Sequence, residues 1–163
     1  MFSDFSSNNV TSCGAPNQFI ARALGGVYLF TGGETDATYT GAYLNPGSSA
    51  WAAYSDRAGK DEVIAVEPEE VLRKVAAMQV STWQWKAEPR SIRHMGPMAQ
   101  DFHAAFGLGS SDKQIVTVDA DGVALAAIQG LNAKLEAAVA EQARESARLR
   151  ADLVELRALI YAQ

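Results

Sequence analysis

From Leu125 to Ile160 the sequence repeats every seven residues, and no turn interrupts the run. Leu125, Asn132, Val139, Ser146, Leu153 and Ile160 take the a positions; Ile128, Leu135, Gln142, Leu149 and Leu156 take d. Such a run predicts a long helix with its seam closed by other copies of itself. Asn132, Gln142 and Ser146 interrupt the seam, and polar core residues of this kind weaken a coiled coil while fixing its register and strand number. Glu145 and Asp152 fall at g, and Arg150 and Arg157 at the following e positions. A parallel bundle sets each acid opposite a base on the neighbouring chain. The competing arrangement is a lone amphipathic helix packed back on its own domain.

The rest of the chain must supply a core that the helix does not. With 163 residues, of which 48% are apolar, one domain plus an appendage is expected. Lys and Arg number 14 against 19 Asp and Glu, for a net charge of −5. No basic block exists, so neither nucleic acid nor an anionic membrane is an expected partner. Cys13 is the only cysteine, which excludes an intrachain disulfide and a cysteine-based metal site and reads as a small buried or half-buried thiol. His94 and His103 lie on unlike elements and lack the spacing of a tetrahedral site. No glycine-rich phosphate loop follows a strand. Neither a metal nor a cofactor is therefore expected. Met1-Phe2-Ser3-Asp4 has no basic flank and no apolar run, so no secretory signal is expected, nor any stretch long enough to span a bilayer. These features point to folding in the cytosol.

The N-terminal third is rich in Gly, Ser and Thr. Residues 1–17 read as irregular. Phe19 to Leu24 and Val27 to Phe30 read as two short strands joined at Gly25-Gly26, with further strands near Thr38–Tyr43 and Ala50–Tyr54 and a turn at Pro46-Gly47. So few residues in short strands make a poor core alone. Either three copies wind together to bury the aromatic residues, or the segment packs as a small meander on its own chain.

The central region reads as compact α/β. Ile64 to Val66 predicts a strand. Pro68 opens a helix, with Glu67, Glu69 and Glu70 at the positive end of its dipole. Val71, Leu72, Val75 and Met78 recur at helical spacing. Val80 to Trp85 predicts a strand, with Trp83 and Trp85 as core or interface anchors rather than ligand platforms. Met98, Ala99, Phe102 and Phe106 mark an amphipathic helix ended by Gly107-Leu108-Gly109, with His103 toward solvent. Together with the tryptophans these residues form the expected core. Ile115 to Val118 predicts a last strand, and Asp119 or Asp121 a cap for the long helix.

Chemistry enters at Tyr54-Ser55-Asp56-Arg57-Ala58-Gly59-Lys60. A serine hydroxyl is a poor nucleophile until a base takes its proton, and a lysine is that base only when neutral. The spacing of Ser55 and Lys60 alone is common and decides nothing. However, Ser55-Asp56-Arg57, Lys60, Trp83-Gln84-Trp85, Ile92-Arg93-His94-Met95-Gly96-Pro97-Met98-Ala99-Gln100-Asp101-Phe102 and Val118-Asp119-Ala120-Asp121-Gly122-Val123-Ala124-Leu125 follow in a fixed order. In this the chain resembles, over about residues 50–140, the intramolecular chaperone domain at the C-terminus of phage tail fibres, tailspikes and endosialidases, the peptidase S74 family. Where that family usually has Glu-Asn and an apolar residue after the lysine, this chain has Asp61-Glu62-Val63.

The resemblance implies an α+β protein in three parts: a β-rich, fibre-like segment at 1–54, a small α/β chaperone domain at 55–120, and a parallel trimeric coiled coil at 121–163. It implies a homotrimer that guides folding of the fibre shaft on the same polypeptide and then cuts itself between Tyr54 and Ser55. Ser55 and Lys60 fall on the positions of the family's catalytic dyad. His94 belongs to a family motif near the cleavage region, which implies a supporting role; the competing reading is a hydrogen-bonded histidine that fixes a turn. The expected location is the cytoplasm during assembly, then a phage or prophage-derived tail fibre. Two alternatives stand beside this. One is a trimeric attachment tip that never cuts. The other, a membrane-associated transcription regulator with the same domain, is disfavoured because no DNA-binding or membrane segment is read in the sequence.

Overall fold

A computed structural model of the protein describes residues 2–3, 14–35 and 37–162. Cys13 lies outside them. The chain forms two compact units, Met1–Ile64 and Ala65–Gln163, in an α+β architecture of small sheets and one long C-terminal helix.

In the first unit, β1 (Phe2–Ser3) pairs in parallel with β2 (Ala21–Arg22), while β3 (Val27–Gly32), β4 (Thr40–Leu44) and β5 (Ala52–Ala53) make an antiparallel sheet in that order. The three strands expected from residue 27 to 54 are present with shifted ends, β3 and β4 running on to Gly32 and Leu44 and β5 shorter than Ala50–Tyr54, and the Pro46-Gly47 turn is closed by the Ser48 amide on the Asn45 carbonyl at 2.9 Å. The expected hairpin across Gly25-Gly26 is not formed. Only Ala21–Arg22 is a strand in that stretch, and β3 spends its pairing edge on β4 instead.

Register explains what the sheet displays. Tyr28 stands opposite Tyr43, Phe30 opposite Gly41, and Tyr43 opposite Ala52. Side chains alternate along a strand, so Tyr28, Phe30, Tyr43 and the residue two past Ala52, Tyr54, share one face. Gly41 (φ 141°) is required there: a Cβ would run into the Leu29 carbonyl. No residue of 14–35 or 37–64 is buried, so the sheet has a face but no core of its own.

The second unit holds the core. Helix α1 (Pro68–Ala77) starts at the proline, as its residues dictate. The Arg73 guanidinium is hydrogen-bonded to Glu70, with nitrogen–oxygen distances of 2.8 and 2.6 Å. This bond holds the Glu70 carboxyl below its ordinary range, helped by the positive charges of Arg73 and Lys74, although partial desolvation opposes the shift. β6 (Ser81–Trp83) and β7 (His94–Gly96) form an antiparallel pair. α2 (Ala99–Phe106) ends at Gly107 in the left-handed conformation, with φ 65°. α3 runs from Thr117 to Tyr161.

Five expectations are corrected here. Ile64 to Val66 is not a strand: it finds no pairing partner among the described residues, and Ile64 is 81% exposed. Ile115 to Val118 is not one either. α3 begins at Thr117, so Asp119 lies inside its first turn, where it favours the dipole without capping. Trp85 lies beyond the end of β6 and is 58% exposed, touching Trp83 edge-on at 5.0 Å. His103 is half-buried, with Nδ1 2.8 Å from the Leu108 carbonyl oxygen, to which a ring N–H donates.

Phe102 is buried at 4% exposure, stacked obliquely on Phe106. Its buried companions are Val123, Ala126 and Ala127 of α3, where sequence reasoning expected Val71, Leu72, Val75, Met78 and Trp83, all of which stay half-buried. α1 crosses α3 so closely at Gly130 that a Cβ there would strike the Pro68 carbonyl. In the heptad frame Val123 and Gly130 are f, Ala126 is b and Ala127 is c. The side of α3 that packs on its own unit is thus opposite the a/d seam. Leu125, Ile128, Leu135, Val139, Leu149, Leu153, Leu156 and Ile160 are all more than half exposed.

One 18-residue window of α3 reaches a mean hydropathy of 1.2 with at most two charged residues. By length and composition that suffices to cross a bilayer, which corrects the expectation that no stretch is long enough. Soluble helices with one packed face meet the same measure, and here 22% of the window is buried within the protein.

Candidate functional site

Local chemistry brings Ser55 and Lys60 together. The Asp56 carboxylate accepts the Ala58 amide at 2.8 Å and caps a short 3₁₀ turn, Arg57–Gly59. The turn is closed by the Lys60 amide on the Arg57 carbonyl at 3.1 Å. One turn of tight helix carries the chain back over its start, so the Lys60 side chain reaches Ser55. Lys60 Nζ lies 2.6 Å from Ser55 Oγ and 3.2 Å from the Ser55 carbonyl oxygen. Asp56 thus has a structural reason for standing between Ser55 and Lys60. Both side chains are exposed in the single chain.

Two longer-range ties hold this turn to the sheet. Gly59 passes the loop before β4 so closely that a Cβ would lie 3.0 Å from the Ala37 carbonyl oxygen. Tyr54, directly after β5, sets its ring 4.8 Å from Tyr43, 5.8 Å from Tyr39 and 5.9 Å from Phe30. Sequence reasoning placed Tyr54 at the bond to be cut but missed this ring cluster. The signal was available in the period-two spacing of Tyr28 with Phe30 and of Tyr39 with Tyr43 across Gly41.

His94 belongs to the second unit. It sits on β7, stacked on Trp83 at 4.7 Å, with Nε2 2.7 Å from Glu88 Oε2. Glu88 was not singled out in the sequence. It lies in the turn between β6 and β7, where only the hairpin pairing reveals that it faces His94. Beside them, Arg93 donates to the Thr82 carbonyl at 3.0 Å and to the Thr82 hydroxyl at 2.7 Å, which ties the two strands together. The Trp83 indole nitrogen is enclosed without a hydrogen-bond partner. Among the described residues no group of His, Cys, Asp or Glu could hold a metal ion.

Residues 55–107 match the family model Peptidase_S74, chaperone of endosialidase. Over that stretch the chain is similar to this family. The match begins at Ser55, contains Lys60 and His94, and ends at the Gly107 helix stop, short of the Val118–Leu125 motif. Neither a curated protein nor a solved structure matches the chain.

Proposed function

We propose that this protein is the trimeric intramolecular chaperone end of a phage or prophage tail fibre, and that it cuts its own chain between Tyr54 and Ser55. The observation that carries the reading is the 2.6 Å approach of Lys60 Nζ to Ser55 Oγ, at the residue where the family match begins. In its neutral form Lys60 takes the hydroxyl proton. Ser55 Oγ then bonds to the Tyr54 carbonyl carbon. The bond from that carbon to the Ser55 nitrogen breaks, and the nitrogen receives the proton from Lys60. Water hydrolyses the resulting ester, leaving a carboxylate on Tyr54 and a free hydroxyl on Ser55. His94, held by Glu88, takes a supporting role.

The trimer reading is supported by the two faces of α3. Its b/c/f side is occupied by its own protomer near the start, while the a/d stripe is exposed along the whole helix. Three parallel copies cover that stripe and bring Glu145 and Asp152 opposite Arg150 and Arg157. The N-terminal unit is read as the end of a fibre shaft, since its described residues bury nothing alone. Bringing three chains into register removes the slow search for strand pairings between separate chains. After cutting, a kinetic barrier retains the shaft.

A second reading is favoured by the exposure of Ser55 and Lys60, which nothing in the single chain dries: a trimeric tip that never cuts. Intact mass after folding decides. Self-cutting gives two fragments in wild type and a whole chain in Ser55→Ala and Lys60→Ala. A wild type at full mass leaves the tip.

A further inference from the structure

The cutting site divides into a part that forms locally and a part that does not. The Asp56 cap, the 3₁₀ turn and the reach of Lys60 all lie within residues 55–60 and need no other segment. Tyr54 and Gly59 are different. The Tyr54 ring meets Phe30 from β3, Tyr39 from the residue before β4, and Tyr43 from β4 itself. Gly59 lies against the Ala37 carbonyl in the loop joining β3 to β4. Both ties exist only when β3, β4 and β5 are paired in register.

Tyr54 also carries the carbonyl that Ser55 attacks. Oγ reaches that carbon by closing a five-membered ring through the Ser55 Cα and nitrogen. The closure succeeds only if the torsions on both sides of the peptide bond are fixed. Lys60 fixes the hydroxyl on one side. The ring cluster fixes Tyr54 on the other.

Resting on the reading that Ser55 and Lys60 cut the chain, we propose that Phe30, Tyr39 and Tyr43 form a positioning clamp on Tyr54 that makes cutting conditional on a folded β3–β4–β5 sheet. Tyr54 and Gly59 are positioning residues, and neither gives or takes a proton. The clamp ties release of the assembly domain to completion of the very segment it assembles. A chain with an unpaired sheet keeps its dyad turn but presents the carbonyl in many orientations, and loss of orientation of this kind costs on the order of a hundredfold in rate.

The test uses the full chain and follows the Ser55-started fragment by intact mass. Tyr54→Leu keeps bulk and removes the ring; Tyr54→Phe keeps the ring and removes only the hydroxyl. Gly59→Val adds a Cβ 3.0 Å from the Ala37 carbonyl oxygen and leaves Tyr54 itself unchanged. Cutting is expected to slow by about tenfold or more in Tyr54→Leu and Gly59→Val, and to return to within about threefold of wild type in Tyr54→Phe. The trimer mass of Tyr54→Leu stays that of wild type. A second measurement needs no variant: during refolding of wild type, the near-ultraviolet circular dichroism of the stacked rings precedes the fragment. Cutting of Tyr54→Leu at the wild-type rate, or fragment appearing ahead of the ring signal, overturns the clamp while leaving the dyad in place. A wild type that never cuts removes the dyad reading itself, and the clamp with it.

Discussion

Single residues set two opposed demands on this chain. At Ser55 and Lys60 the demand is chemical. Lys60→Arg retains charge and reach, yet a guanidinium stays protonated and cannot accept the hydroxyl proton, so the chain is expected to remain whole by intact mass, as in Ser55→Ala. His94→Ala is expected to slow cutting without stopping it. At Gly130 the demand is spatial. Replacing it with alanine gains about 1 kcal/mol of helix propensity, but the added Cβ meets the backbone of Pro68. Overpacking costs about 1–3 kcal/mol, and no rotamer change moves a carbonyl. Gly130→Ala is therefore expected to lower the denaturation midpoint of the second unit, and an unchanged or raised midpoint would show that α1 can give way. Phe102→Ala is expected to cost roughly 3–5 kcal/mol, since its ring is the largest buried group. Ser55 and Lys60 stood out in the sequence only through the family resemblance, and the Asp56 cap that brings them within 2.6 Å was not read there. Gly130 was not legible, because in a heptad run a glycine at f looks like a solvent-facing position until the crossing helix is known.

Elements show the same division between local and distant causes. α1, α2 and α3 were legible from proline, glycine and apolar spacing, signals that lie within each helix. Ile64–Val66 and Ile115–Val118 were misread because an apolar β-branched run says only that a strand is possible. A strand also requires a neighbour, and the described residues provide none. The same reason accounts for Trp85, whose phase holds only while β6 continues. The dual face of α3 could be read only in half. Its heptads announced the outer stripe, while Ala126 and Ala127 are small enough to pass as helix filler and yet are buried. This decides where the helix can be shortened. Ending the chain after Ala120 removes Val123, Ala126, Ala127 and Gly130, and so is expected to unfold the second unit. Ending it after Ala133 spares them and removes most of the seam. The shorter protein is expected to keep its cooperative melt and to lose its trimer by light scattering; a trimer surviving that cut would place the association elsewhere.

For the whole molecule the proposed trimer implies a mass of three chains at micromolar concentration. Cutting inside it is expected to be first order and insensitive to dilution once trimers exist, because nucleophile and target lie on one chain. A rate that falls with dilution below that point, in step with the loss of trimer mass, would show that assembly is needed to dry Lys60. A mass of one chain at all concentrations sinks the bundle. The two units ask for partners in different ways: the second has a core and an unmatched stripe, the first has an aromatic face and nothing buried. Beyond Gly130 every described residue of α3 is exposed, over roughly 45 Å of helix at 1.5 Å per residue. In that stretch no described residue is buried against the rest of its own chain. In the proposed bundle, lineages carrying such a helix are free to drift at b, c and f, bound at a and d and held by charge at e and g, so sequence divergence along it should keep time in sevens. Before Gly130 the rule reverses, and the positions that look most replaceable are the ones a lineage cannot enlarge.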